Sequence, residues 1–302
     1  MTIQYDITHT TTYRYRKPVT FGEHRVMFRP RDSHDLRVLA TDLVVTPEAA
    51  VRLIQDPHSN SVALVTPLGE AQELRIVCSF RIEHAVTNNL ELPLAPGAEF
   101  FPFSYSIEER FDLEQYLRPH YEDPAGHLSA RARQFIRTDG PTGTREVLLA
   151  MNQFIKNEFN YAGRDEEGTQ TPLETLTRQS GSCRDFALLM MEAARRLGVA
   201  TRFVSGYLYD PSLDRAAIEG DDDTPSDTVG AGATHAWLQA YLPGAGWVPF
   251  DPTNNLTGGS QLVRVGVARD PRLAAPISGS WYGEPDAYVG MDVDVRVRRV
   301  WP

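Results

Sequence analysis

The stretch GSCRDFALLMMEAARRLG, residues 181–198, decides the fold of this chain. Ser182 is a favoured helix N-cap residue, and Asp185, three positions later, completes the S-x-x-[DE] spacing of a capping box. From Phe186 onward an apolar residue recurs at i, i+3, i+4, i+7, i+8 and i+11, and a glycine closes the stretch. The pattern predicts a buried central helix that begins at Cys183.

Cys183 would carry its sulfur on the first turn of this helix. There the unpaired N–H groups and the positive end of the helix dipole favour thiolate over thiol. A free cysteine is more commonly a small buried hydrophobe, and Cys78 fits that description because it alternates with Leu74, Ile76 and Phe80 in a β-like run. The sequence therefore predicts a reactive Cys183 and a structural Cys78.

A second motif, THAWLQAYL at residues 234–242, has the alternation of a strand. His235 and every second residue after it share one face, while the aliphatic residues share the other. A lone histidine beside a tryptophan is often a packed core residue, but this strand runs at once into a Gly/Pro turn and GWVPFDPT. All other histidines precede Cys183 in the chain, so His235 is the candidate base.

Asp251, within GWVPFDPT, is the candidate group that orients His235. If Tyr241 pairs with Trp247 across a five-residue loop, Asp251 becomes the diagonal neighbour of His235 at roughly 7 Å. A loop with an even number of residues would put Asp251 on the opposite face, because side chains alternate with period two. We predict that the Asp251 carboxylate hydrogen-bonds one ring nitrogen of His235 while the other nitrogen faces Cys183.

At these residues the chain resembles the transglutaminase-like superfamily, in particular the bacterial members that carry a β-rich domain ahead of a papain-like catalytic core. The resemblance rests on GSCRDFA, ATRFVSGYLYD, HAW, GWVPFDPTNN and the opening YDITHTTTYRYRKPV. It implies that Cys183 is the nucleophile, His235 the base and Asp251 the orienting carboxylate. Members of this family often have a histidine where Leu188 stands and an acidic residue where Gln239 stands.

The predicted chemistry is attack of the Cys183 thiolate on an amide carbonyl of a protein or peptide, through a thioester. The Cys183 backbone N–H is the first oxyanion donor, and Gln179 and Tyr161 are candidates for the second. We expect a cysteine-dependent enzyme of the peptidase or amidase type. Two alternatives stay open: a protein-glutamine transglutaminase or deamidase, the former with an amine acceptor, and a non-enzymatic binding module with a papain-like core.

The order of local patterns predicts an α+β protein. β-like runs separated by turn residues fill residues 2 to about 90, and the turn-rich stretch 88–109 is the predicted linker. The later patterns comprise helices at 127–138, 144–159, 172–179 and 183–197, then strands at 201–209, 234–242, 247–251, 261–268 and 291–301. These patterns predict an antiparallel, sandwich-like β domain at 1–100 and an α+β unit at 101–302. The resemblance implies that the second unit is a papain-like, transglutaminase-like catalytic domain.

Composition agrees with a catalyst that has a full core, since 41% of the 302 residues are hydrophobic. A net charge of -10 without a basic stripe argues against a nucleic-acid partner. No apolar run approaches the roughly 20 residues of a membrane span, and the start of the chain lacks the apolar core of a signal peptide, so we expect the cytoplasm. One cysteine and one histidine are too few for zinc, and no nucleotide-binding motif occurs, so no metal or cofactor is expected.

Residues 210–234 differ from the rest, with seven acidic residues, one arginine and several glycines. This composition is too polar to pack, and we predict an inert insertion in preference to an active-site lid. Its charge would still place a negative field near the mouth of the site, which disfavours acidic ligands and mildly attracts amines.

Overall fold

A computed structural model describes residues 2–85, 90–164, 168–214 and 228–300. The protein is of the α+β class, as predicted, with about 22% helix and 43% strand. The strands are β1 (Thr2–Phe21), β2 (His24–Val26), β3 (Leu36–Thr46), β4 (Ala49–Gln55), β5 (Ser61–Pro67), β6 (Glu70–Ala85), β7 (Phe100–Phe101), β8 (Thr142–Gly143), β9 (Asn160–Tyr161), β10 (Ser180–Gly181), β11 (Thr201–Leu208), β12 (Thr234–Leu242), β13 (Gly246–Phe250), β14 (Leu262–Ala268), β15 (Ile277–Ser278), β16 (Trp281–Tyr282) and β17 (Tyr288–Val300). The helices are α1 (Ile107–Asp112), α2 (Glu114–Leu117), α3 (His127–Arg133), α4 (Thr144–Glu158), α5 (Pro172–Arg178) and α6 (Cys183–Arg196), and a short 3-10 helix covers Pro271–Ala274.

The N-terminal region consists of two antiparallel sheets around one hydrophobic core. The first sheet has the order β16-β1-β6-β3 with β17 also paired to β1, and the second has the order β15-β2-β5-β4. Buried and more exposed residues alternate along these strands. In β6, for example, every second residue from Leu74 to Ile82 is buried, Cys78 among them. The core is shared by residues of both sheets, such as Ile76 and Val62. The predicted antiparallel β-rich region is confirmed.

The C-terminal segment returns to this region. β17 pairs with β1 along most of its length, β16 pairs with the end of β1, and β15 pairs with β2. The sequence interpretation had assigned these residues to the catalytic unit, whereas the pairing places them in the two N-terminal sheets. The division near residue 100 stays a prediction.

The remaining helices and strands form a second region that contains both helices and a sheet. Its sheet has the antiparallel order β13-β12-β11-β14. Helix α6 packs against β11 and β12 on one side and against α3, α4 and α5 on the other, so almost every residue of α6 is buried. The central helix predicted from the apolar stripe is confirmed, and it presents Cys183 at its first position.

The predicted linker is correct only in part. Residues 90–106 are mainly irregular, with β7 paired to β8, but α1 begins at Ile107 and not after Glu109. A capping box at Ser106 starts α1: Glu109 N–H donates to Ser106 Oγ at 3.1 Å, and Ser106 N–H donates to Glu109 Oε2 at 3.0 Å. None of the residues of α1 is buried, so its sequence has no apolar stripe from which the helix could be predicted.

Candidate active site

Cys183 lies at the N-terminus of α6, where the capping signature predicted it. The Ser182 N–H and the Ser182 hydroxyl both donate to Asp185 Oδ2, each at 2.8 Å. Cys183 is 7% exposed and so lies just below the surface. The first-turn N–H groups of a helix have no intrahelical acceptor, and they place positive partial charge beside the thiol.

Asp185 does more than cap the helix. Its fully buried carboxylate also accepts hydrogen bonds from the Gln170 backbone N–H at 2.7 Å and from Arg164 Nη1 at 3.1 Å. Gly181, just before the cap, has no room for a Cβ, which would lie 2.8 Å from the Asp185 Cβ. One carboxylate thus fixes the start of α6 and the loop ahead of α5. The sequence predicted the cap but gave no sign of Arg164 or Gln170, which are distant in the chain.

The register of the β12–β13 hairpin brings His235 and Asp251 together. Tyr241 pairs with Trp247, as predicted. The connecting loop is three residues long and not five, because one more residue on each strand joins the ladder. Both lengths are odd, so the side chains keep the predicted face. His235 Nε2 lies 2.8 Å from Asp251 Oδ2, which confirms the predicted hydrogen bond.

Asp251 is held by a turn built around its own carboxylate. Its Oδ1 accepts the Thr253 backbone N–H at 2.9 Å, and its Oδ2 accepts the Asn254 side-chain amide at 3.0 Å. Burial alone raises the pKa of this carboxyl, but the charge of His235 and these hydrogen bonds outweigh burial and lower the pKa below its ordinary value. Asp251 is therefore a buried carboxylate with a fixed orientation.

His235 is buried between this carboxylate and the thiol. Burial lowers the pKa of His235, but the charge and hydrogen bond of Asp251, followed by the interaction with Cys183, more than offset burial and raise the pKa to about 10. Nδ1 forms no hydrogen bond with any described residue, but Cys183 is near enough to contribute to the raised pKa of the ring. Because Nε2 is held by Asp251, Nδ1 is the nitrogen left for Cys183. Asp251 thus favours the protonated form of the imidazole.

The two candidates for a second oxyanion donor differ in their surroundings. Tyr161 pairs with Gly181 in the short parallel ladder of β9 and β10, close to the start of α6. Burial, and then the charge of Cys183, raise the pKa of Tyr161 to about 12, so its hydroxyl keeps its proton. Both side chains are exposed, Tyr161 by 43%, and Gln179 ends α5 with a φ of 48°. The interaction with Cys183 favours Tyr161.

The C-terminal flank of the acidic stretch contacts the site, which the sequence did not predict. A Cβ on Gly230 would lie 2.5 Å from His235 Nδ1, and Val229 exchanges two hydrogen bonds with the Asn254 side chain. The prediction of an inert insertion is therefore wrong for this flank, while residues 215–227 lie outside the described residues. The contacts are made by backbone groups, so the composition of the stretch carried no sign of them.

Cys183 and Cys78 should differ sharply in reactivity. Cys183 lies at a helix N-terminus beside an imidazolium, whereas burial raises the pKa of Cys78 to about 11 and keeps it a thiol. We expect Cys183 to react with iodoacetamide at least about tenfold faster than Cys78 in the folded protein. Peptide mass spectrometry after timed labelling measures both rates, and equal rates would contradict an activated Cys183.

No group of three or more histidine, cysteine, aspartate or glutamate side chains is arranged to hold a metal ion among the described residues. None of the helices in the same ranges is long and apolar enough to cross a membrane.

The architecture described above, with a cysteine at the start of the central helix and a histidine on the adjoining sheet, is that of a transglutaminase-like core. Residues 129–252 match the model of the transglutaminase-like superfamily, and residues 5–83 match the model of the bacterial transglutaminase-like N-terminal region. The two matches together span more than half of the chain. The protein belongs to the transglutaminase-like superfamily, whose members are typically cysteine-based enzymes.

Relatives and a solved structure match nearly the full chain. An uncharacterized protein of Mycobacterium leprae is 27% identical over 295 residues, covering 97% of this chain and 98% of the relative. An uncharacterized protein of Mycobacterium tuberculosis is 26% identical over 315 residues, covering 97% and 93%. The crystal structure of a "putative cysteine protease" from Cytophaga hutchinsonii has a TM-score of 0.68 at 20% identity, covering 98% of this chain and 91% of that one. This last similarity shows that the fold is shared along both regions.

Proposed function

We propose that this protein is a cysteine-nucleophile acyl-transfer enzyme that acts on amide bonds of protein or peptide substrates. One observation carries the proposal: His235 Nε2 is fixed by Asp251 at 2.8 Å, which leaves Nδ1 for Cys183 at the N-terminus of α6. This series of carboxylate, imidazole and thiol is the arrangement that activates a nucleophile and returns its proton to the leaving group. Membership of the superfamily supports the same class of enzyme.

In the first half of the proposed reaction, the Cys183 thiolate bonds to the amide carbonyl carbon and the carbonyl electron pair moves to oxygen. The Cys183 backbone N–H and the Tyr161 hydroxyl are the proposed donors to this oxyanion. The oxyanion collapses as His235 passes its Nδ1 proton to the amide nitrogen. The carbon–nitrogen bond then breaks, the amine leaves, and the acyl group stays on sulfur as a thioester.

In the second half, the neutral His235 takes a proton from the incoming nucleophile. Water attacks the thioester carbon in a peptidase, amidase or deamidase, and a primary amine attacks in a transglutaminase. The carbon–sulfur bond breaks, and the thiolate and the imidazolium are restored. Asp251 keeps its charge throughout and stabilises the protonated imidazole.

We further propose a protein or peptide partner and a cytoplasmic location. Cys78 and Cys183 are both free thiols, which agrees with a reducing compartment. Fractionation of cells that produce the tagged protein tests the location, and recovery outside the cytoplasm would overturn it.

The chemistry is tested with a set of glutamine-containing peptides, incubated with the enzyme in the presence and absence of a primary amine. We expect cleaved peptide by mass spectrometry. Conversion of glutamine to glutamate would instead identify a deamidase, and incorporated amine a transglutaminase. Cys183→Ala should remove every product, whereas the matched variant Cys78→Ala should retain it. Products that survive in Cys183→Ala, or peptide binding without any product, would contradict the proposed enzyme.

A further inference from the structure

Gly230 lies directly against the imidazole of His235. Its φ is +92°, and a Cβ built on it would lie 2.5 Å from His235 Nδ1 and 3.2 Å from Cγ. Carbon and nitrogen atoms do not approach so closely without a bond, so any side chain here would force the imidazole to move. The space beside Nδ1, the nitrogen left for Cys183, therefore admits only the hydrogen of a glycine.

The position of Gly230 is fixed through the preceding residue. The Val229 N–H donates to Asn254 Oδ1 at 3.1 Å, and Asn254 Nδ2 donates to the Val229 carbonyl at 3.0 Å. The same Nδ2 donates to Asp251 Oδ2 at 3.0 Å. The Asn254 amide thus joins Val229 and Gly230, which we call the imidazole wall, to the carboxylate that holds the opposite nitrogen of His235.

Both flanks of the acidic stretch are tied to the C-terminal strand. On the downstream side the Val295 N–H donates to the Gly232 carbonyl at 3.1 Å. On the upstream side the Arg299 N–H donates to Asp214 Oδ2 at 3.0 Å, and Tyr209 donates to the same oxygen at 2.8 Å. Val295 and Arg299 lie on β17, which is paired with β1 in the first sheet. Their hydrogen bonds therefore anchor both flanks of the acidic stretch to a rigid sheet.

We propose that the imidazole wall positions His235 for catalysis, and that Gly230 is a positioning residue required to keep Nδ1 directed at Cys183. The inference rests on the proposed function of His235 as acid and base. Asp251 fixes only one nitrogen, and a ring held at one point can still tilt. The wall limits that tilt and keeps water from Nδ1, so that its proton passes to the leaving group.

The test compares Gly230→Ala with Gly232→Ala. Both glycines have a positive φ, +92° and +81°, so both variants carry similar backbone strain. A Cβ on Gly232 meets nothing within 4 Å, and the carbonyl that Val295 uses is retained. The two variants therefore differ mainly in the contact with His235.

The readouts are the iodoacetamide rate of Cys183 as a function of pH and the kcat for peptide turnover. We expect Gly230→Ala to lower the alkylation rate at neutral pH and kcat by about tenfold to a hundredfold. The acid limb of the alkylation profile should move to higher pH, because less imidazolium charge faces the sulfur. Gly232→Ala should stay within about twofold of the wild type in both measurements, since nothing near it has to move.

Two outcomes would overturn the proposal: equal effects of the two alanines, or an unchanged alkylation profile in Gly230→Ala. If Gly230→Ala does not fold, Asn254→Ala removes both bonds to Val229 together with the bond from Nδ2 to Asp251, and it should shift the alkylation profile in the same direction. A folded Asn254→Ala with the wild-type profile also overturns the proposal. Alkylation of Cys183 needs no substrate. If the proposed peptide chemistry is wrong, no turnover will be seen, but the alkylation rates of Gly230→Ala and Gly232→Ala will still differ.

Discussion

Replacing Asp251 by alanine should lower kcat by about three to four orders of magnitude, a smaller loss than that of Cys183→Ala. The carboxylate is fully buried and holds His235 Nε2 at 2.8 Å. Without it, the imidazole loses both its orientation and the charge that stabilises its protonated form. The thiolate would then face a ring that is neutral and free to rotate.

The same variant should change the pH dependence in a defined direction. Asp251 is the main cause of the raised pKa of His235, which lies at about 10. An imidazolium with a raised pKa is kept at neutral pH and is lost as the pH rises through that value, so the wild type should lose activity only near about pH 10. Removing the carboxylate lowers the pKa, so the alkaline limb of kcat/KM should move to lower pH in Asp251→Ala and in Asp251→Asn.

Rate profiles from pH 5 to 11 for the wild type and the variants measure this shift. Asp270→Asn is a matched control, because Asp270 is also a buried carboxylate but bonds Arg272 and Tyr121 instead of the site. It should reduce stability and leave the alkaline limb in place. An alkaline limb that does not move in Asp251→Ala, or a kcat within tenfold of the wild type, would count against the role of Asp251.

The parts of the site that the sequence predicted correctly are those set by short-range rules. The start of α6 follows from Ser182 and Asp185, three residues apart, and the facing of His235 and Asp251 follows from the parity of one turn. Each rule acts within about 20 residues, so the local pattern contains all that is needed. Strands β1 to β6 of the N-terminal sheets were also predicted, because their alternation is local, whereas the two-residue strands β15 and β16 were not.

The parts that were missed depend on contacts that no local sequence pattern specifies. β17 pairs with β1 although nearly the whole chain separates them, and alternation alone does not specify a partner strand. Arg164 and Gln170 reach Asp185 from another loop, and their own neighbourhoods show no motif. Gly230 resembles any glycine of a polar loop until its approach to the imidazole is measured.

A buried ionic network holds the C-terminal end of α6 in place. Glu192 is fully buried and bonds Arg195 Nη1 at 2.9 Å and Arg196 Nη1 at 2.7 Å. It also accepts the backbone N–H groups of His120 and Tyr121, at 3.1 Å and 3.3 Å. The structure buries both arginine side chains: Glu192 pairs with each of them, and Asp123 pairs with Arg196 as well, at 3.5 Å.

Replacing Glu192 by glutamine should therefore destabilise the protein by about 3–5 kcal/mol, because it leaves the buried Arg195 guanidinium without its paired carboxylate. The shape of the side chain is kept, so the loss reports charge and not volume. Urea unfolding followed by circular dichroism measures it. Glu73→Gln is the matched control, since Glu73 is half-exposed and pairs with Arg14 at 3.7 Å, and it should have little effect.

Glu192 lies nine residues from Cys183, about 14 Å along the helix, so the alkylation rate of Cys183 should stay near that of the wild type below the unfolding transition. Equal unfolding midpoints for the two glutamine variants would show that the network does not stabilise the core.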